Sequence, residues 1–105
     1  MAKVQLVSQS DNKQVNKMPT FILRLFVTGA SPNSTRAVAN LKNICEEYLK
    51  DRYELEIIDV YQQPLTAERE QLIALPLLIK KAPGMERRLI GDMSNKQKVL
   101  SGLGI

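Results

Sequence analysis

The chain has no histidine and no tryptophan, and its single cysteine is Cys45. Without histidine it lacks the commonest metal ligand and the usual general base near neutral pH. One cysteine excludes an intrachain disulfide, and no Cys-x-x-Cys pair exists for thiol–disulfide exchange. No apolar run approaches the ~20 residues that span a bilayer. The early apolar stretch Val4-Gln5-Leu6-Val7 is too short for a signal-peptide core, so the cytoplasm is the expected compartment. Gly29-x-x-x-x-Ser34 lacks the Gly-Lys-Ser/Thr ending of a phosphate loop. Glu46-Glu47 and the Glu68/Glu70 pair read as solvated helix charges rather than paired catalytic carboxylates. Together these absences point to a non-enzyme with no metal and no cofactor.

Charge is mild. Fifteen Lys and Arg stand against eleven Asp and Glu, for a net charge of +4. Acidic residues interleave with most of the basic ones, which marks a solvated surface rather than a nucleic-acid footprint. An RNA-binding surface is a distant third among the function classes. The length of 105 residues suits one domain with a modest core, which three Tyr and two Phe leave mostly aliphatic.

Residues 1–19 are polar after Val7 and read as a flexible N-terminal arm. Residues 20–105 read as a single domain. Phe21 to Thr28 is a strand with Phe21, Leu23, Leu25 and Val27 on one face and Ile22, Arg24, Phe26 and Thr28 on the other. Both faces are largely apolar, as in a central strand covered on both sides. Ser31 is an N-cap and Pro32 suits a first helical position. The helix that follows aligns Ala37, Leu41, Ile44, Cys45 and Tyr48 on one stripe. Cys45 is therefore expected to be a small buried apolar residue. Tyr53 to Val60 is a second strand. Strand, helix, strand makes a βαβ unit with parallel strands.

Leu65 to Ile73 is rich in helix formers, and Pro76 stops it. Leu77 to Lys80 and Glu86 to Ile90 form a hairpin around Pro83-Gly84. Its Leu/Ile runs fit helix and strand almost equally. Lys80-Lys81 and Arg87-Arg88 flank the turn and read as exposed, either guarding a sheet edge or meeting a partner. Ser94 is the expected N-cap of a short last helix, with Gln97 reaching back to it. Gly102 to Ile105 should fray. The order of elements resembles thioredoxin, in which a cis-proline precedes the third strand, at the place of Pro76. The redox turn of that fold corresponds here to Gly29-Ala30-Ser31-Pro32-Asn33-Ser34, which carries no sulfur.

Specific residues carry a closer resemblance. They are Leu25-x-Val27-x-Gly29, Ser31-Pro32-Asn33-Ser34-x-Arg36-Ala37, Ile58-Asp59-Val60, Leu72-Ile73-Ala74-Leu75-Pro76 and Arg87 to Asn95. Over about four-fifths of its length the chain resembles the KaiB family of circadian-clock proteins. The resemblance implies an α/β fold with a thioredoxin-like βαβ N-terminal half. Its C-terminal half is then able to take either a thioredoxin-like or an alternative resting arrangement. It also implies a non-enzymatic adaptor of a KaiC-type ATPase, working with a KaiA-like protein or a sensor histidine kinase, and a homo-oligomer, dimer or tetramer, at rest. Partner-binding residues implied by shared positions and expected exposure are Arg36, Tyr53, Lys80, Arg87 and Arg88. Pro76, Gly91 and Asp92 are the expected fold-switch residues. A KaiC-linked stress-response protein without a clock, or a general thioredoxin-like interaction module, is the alternative.

Overall fold

The computed structural model describes residues 19–72 and 74–105, so the arm read over residues 1–19 lies outside them except for its last residue. Seven elements follow in order. They are β1 (Phe21–Val27), α1 (Pro32–Tyr48), β2 (Tyr53–Asp59), α2 (Pro64–Arg69), β3 (Leu77–Ala82), β4 (Arg87–Ile90) and α3 (Lys96–Leu103). They build one four-stranded sheet in the order β2-β1-β3-β4. β1 runs parallel to β2 and antiparallel to β3, and β4 is antiparallel to β3.

The alternation in β1 decides the layering. Phe21, Leu23, Leu25 and Val27 join Leu41, Ile44 and Cys45 in a core roofed by α1 and α3. Phe26 faces the other way and packs with Ile58, Leu77 and Ile79. β1 is thus buried on both faces, as its near-continuous apolar run requires. Ser31 caps α1, its Oγ accepting from the Ser34 N–H at 3.3 Å, and Pro32 opens the helix. The α1 stripe is buried at Ala37, Leu41, Ile44 and Cys45.

Local expectations in the C-terminal half need correction. α2 is six residues long and buries none of them, shorter than the expected Leu65–Ile73. High propensity does not hold a helix whose face meets no core, and the chain turns at Gln71 with φ +55°. The N-cap of α3 is Asn95, whose side chain accepts from the Lys98 N–H at 3.1 Å. Ser94 spends its own N–H on the Asp92 carboxylate at 3.0 Å. Nor does the chain fray after Gly102. Leu103 is buried, and Gly104, at φ +82°, lets the Ile105 N–H reach the Leu100 carbonyl at 3.0 Å. This left-handed closure satisfies carbonyls that the last turn would leave open. A Cβ on Gly102 would lie 2.5 Å from the Leu89 side chain, so the glycine lets α3 close on β4.

Candidate partner-binding surface

The β1–α1 turn is built on hydroxyls. Ser34 is buried, accepts from the Thr28 N–H at 3.0 Å, and receives the Ser31 hydroxyl at 2.8 Å. The Asp59 carboxylate holds the Gly29 N–H at 3.2 Å and the Tyr61 N–H at 2.9 Å, tying the turn to the end of β2. Gly29, at φ +57°, makes the bend that brings them together. Between α1 and β2 lies an open groove of about 600 Å³, lined by Val27, Ala30, Val38 and Ile57 among others. Tyr61 and Leu65 stand exposed beyond β2.

The three expected switch residues come together. Pro76 follows a cis Leu75–Pro76 bond, in the place expected of it. Its carbonyl accepts from the Gly91 N–H at 3.0 Å. Gly91 has φ +124°, and a Cβ there would meet nothing within 4 Å. The neighbouring Asp92 carboxylate accepts from Arg36 Nε at 3.2 Å, and the Asp92 carbonyl accepts from Asn40 at 2.9 Å. Hydrogen bonds from Ser94, then the Arg36 guanidinium, hold the Asp92 carboxyl below the usual range. Arg36 also reaches the Asn33 side chain. One end of the molecule therefore joins the start of α1, the cis-proline and the β4–α3 junction.

The five expected partner-binding residues do not gather into one face. Register sets Lys80 opposite Arg87 and Ile79 opposite Arg88. Leu78 belongs to the α1/α3 core and Ile79 to the other, so Lys80 and Arg87 lie on the α1/α3 side while Arg88 lies on the α2 side. Lys80 is not exposed as expected. It is 8% accessible, and its ammonium donates to the Pro83 carbonyl at 2.7 Å, folding over the turn. Tyr53 donates to the Glu46 carboxylate at 2.6 Å, and that bond is the main reason its phenol is pushed up to about 12. Arg88 pairs with Glu70 and Glu86. Arg36, Arg87 and Arg88 are exposed, Arg36 and Arg88 within ion pairs.

Sequence reasoning passed over Glu70, read only as a surface helix charge. Its side chain is 16% accessible and sits within 4 Å of cations from three strands. The signal available was weak: basic residues at Arg24, Lys81 and Arg88, each on the same face by strand alternation. Among the described residues no group of three His, Cys, Asp or Glu could hold a metal ion. No described helix is long and apolar enough to cross a membrane.

The KaiB domain family matches residues 24–105. The chain belongs to the KaiB family. It is 51% identical over 88 residues to the circadian clock protein KaiB3 of Synechocystis sp., covering 84% of this chain and 86% of that protein. The circadian clock oscillator protein KaiB of Rippkaea orientalis is 45% identical over 91 residues, or 87% and 88% of the two chains. KaiB clock proteins are a non-enzymatic family, in keeping with a turn that holds hydroxyls where a thioredoxin needs a thiolate. The fold matches the solution structure of the N-terminal domain of Synechococcus elongatus SasA, with a TM-score of 0.67 and 27% identity. That match covers 90% of this chain and 93% of the other. Mitochondrial thioredoxin 3 of Saccharomyces cerevisiae matches with a TM-score of 0.66 at 17% identity, covering 84% and 80%. The four-stranded mixed sheet of this KaiB-family chain is therefore thioredoxin-like.

Proposed function

We propose that this chain is a non-enzymatic adaptor that docks on a KaiC-type ATPase ring in its thioredoxin-like arrangement. There it modulates the phosphorylation state or signalling of the ring within a clock-like system in the cytoplasm. Bound to the ring, it offers a surface to a KaiA-like protein or a sensor histidine kinase. The observation that supports this reading is a KaiB-family sequence in a thioredoxin-like fold whose redox turn holds Ser31 and Ser34 in place of sulfur. The fold survives and the thiol chemistry does not, so what remains for the scaffold is binding.

Arg36 and Arg87 are cations through which an acidic surface on the ring is met, while the exposed Arg88 is already paired with Glu70 and Glu86; exposed charges of this kind set association rate and specificity more than affinity. Arg87→Glu is the cleaner test, because Arg36→Glu also breaks the contact with Asp92. The expected result is an association rate with a KaiC-type ring lowered about tenfold at low salt, with the difference shrinking as salt rises. Unchanged rates in both variants would remove these residues from the interface. No binding by the unaltered chain would remove every KaiC-linked role and leave the general thioredoxin-like interaction module.

A further inference from the structure

We infer that Glu70 is an electrostatic latch that holds the α2 segment on the sheet, so that this segment opens locally without the rest of the fold. The reason lies in what α2 lacks. Its six residues bury no side chain, and its N-cap, Gln63, makes no side-chain hydrogen bond. Leu65 points to solvent with 67% of its surface accessible. A helix this short is not stable by propensity alone. Something else must fix it above β1 and β3.

Glu70, at the C-terminal cap of α2, supplies that attachment. Its carboxylate takes both oxygens to Lys81 Nζ, at 3.0 and 2.9 Å. Arg88 reaches it at 3.4 Å and Arg24 at 3.8 Å. Those three cations come from β3, β4 and β1, so one carboxylate ties the segment to three strands. Glu56 steadies Arg24 at 3.5 Å, and Glu86 steadies Lys81 and Arg88 at 3.5 and 3.6 Å. The network therefore holds three cations and three carboxylates and needs no outside ion. Phe26, Ile58, Leu77 and Ile79 form the core on this side of the sheet, with Val60, Leu72 and Leu75 partly buried against it. Among the described residues of the segment, release of Glu70 leaves Leu72 as the apolar contact with that core. An isolated exposed ion pair contributes little, but this carboxylate is mostly buried and shared by several cations, which raises its weight.

Amide hydrogen exchange on the full chain tests the latch. At low salt, Glu70→Gln is expected to speed exchange across residues 64–72 about tenfold while leaving the β1 amides unchanged. Raising salt to about 1 M, where the Debye length is about 3 Å, should speed the same residues in the unaltered chain and change the variant little. Lys81→Gln should produce part of the effect alone and add little on top of Glu70→Gln, the non-additivity that a shared contact gives. Glu68→Gln, an exposed charge on the same helix, should exchange as the unaltered chain does. The latch is refuted if Glu70→Gln leaves exchange at 64–72 unchanged. It is equally refuted if that variant speeds all elements alike, which is global destabilisation rather than local opening.

Discussion

A thiol in the middle of α1 is closed to chemistry by its surroundings. Cys45 has no accessible surface. Burial, and secondarily the Glu46 charge, push its pKa up to about 12. At pH 8 the thiolate fraction is then on the order of one in ten thousand, and the thiolate is the nucleophile. Iodoacetamide should leave the folded chain unmodified at that pH and label it fully after unfolding; labelling of the native protein at the rate of a free thiol would contradict the burial. Cys45→Ala should cost stability by roughly 1 kcal/mol through lost packing, with no change in any binding. Cys45→Ser should cost more, because its hydroxyl enters a site lined by apolar groups. The ranking is measured by urea unfolding of both variants. The same scale explains Tyr53. Its phenol is neutral and bonded to Glu46 up to high pH. Because its pKa is raised from 10.0 to about 12, that stabilisation is intact below pH 10 and lost as pH climbs through 12.

At the scale of elements, the last helix separates two capping schemes. Ser94 with Gln97 forms the sequence pattern of a capping box, yet Asn95 performs the capping. Both residue types cap well, and a one-residue shift is invisible to a pattern. The choice is made by Asp92, which takes the Ser94 N–H. Asn95→Ala should therefore cost about 1 kcal/mol of stability, and Ser94→Ala clearly less. Thermal unfolding of the pair measures it; the reverse ranking would restore the capping box. The contrast shows which parts of the fold could be read from the chain. The βαβ half was legible because β1 is a nearly continuous apolar run of seven residues, β2 alternates through Glu54 and Glu56, and the α1 stripe repeats along the helix, patterns long enough to tolerate local error. Pro76 marked the start of β3 for the same reason that it cannot sit inside it. The rest depends on contacts between distant residues. α2 stops early because none of its own six residues is buried. Lys80 looked exposed, but strand alternation turns it toward the α1/α3 side and its head bonds back to Pro83. Of the candidate site, the cluster of Pro76, Gly91 and Asp92 emerged as one unit. The five partner-binding residues did not, because their positions straddle both faces of the sheet.

For the whole molecule, the KaiB relationship raises a second, oligomeric resting arrangement beside the thioredoxin-like one described above. Tyr61, Leu65 and Met85 are 75%, 67% and 74% accessible here. Singly exposed apolar side chains are ordinary on a surface and do not by themselves call for a second copy, so the oligomer rests on the family relationship. We propose that the chain alone is a dimer or tetramer whose C-terminal half is rearranged, and that the thioredoxin-like form is the partner-binding state. Gly91 tests the balance. At φ +124° an alanine is strained in this arrangement, and with nothing within 4 Å of its Cβ the penalty is backbone alone, about 1 kcal/mol. The family relationship leads us to expect that Gly91→Ala nevertheless favours the thioredoxin-like form. That outcome requires the resting arrangement to penalise the same Cβ by about 2 kcal/mol, since only the difference between two penalties moves a population. A net difference of about 1 kcal/mol shifts the ratio roughly five-fold. NMR of the chain and of Gly91→Ala, read alongside light scattering, measures both sides at once. The variant should gain monomer and thioredoxin-like resonances together. Gain of one without the other would uncouple oligomer from fold. A single unchanged set of resonances in both proteins, with the same mass across micromolar concentrations, would mean that the chain has one fold and that Gly91 is only the turn residue that joins β4 to α3.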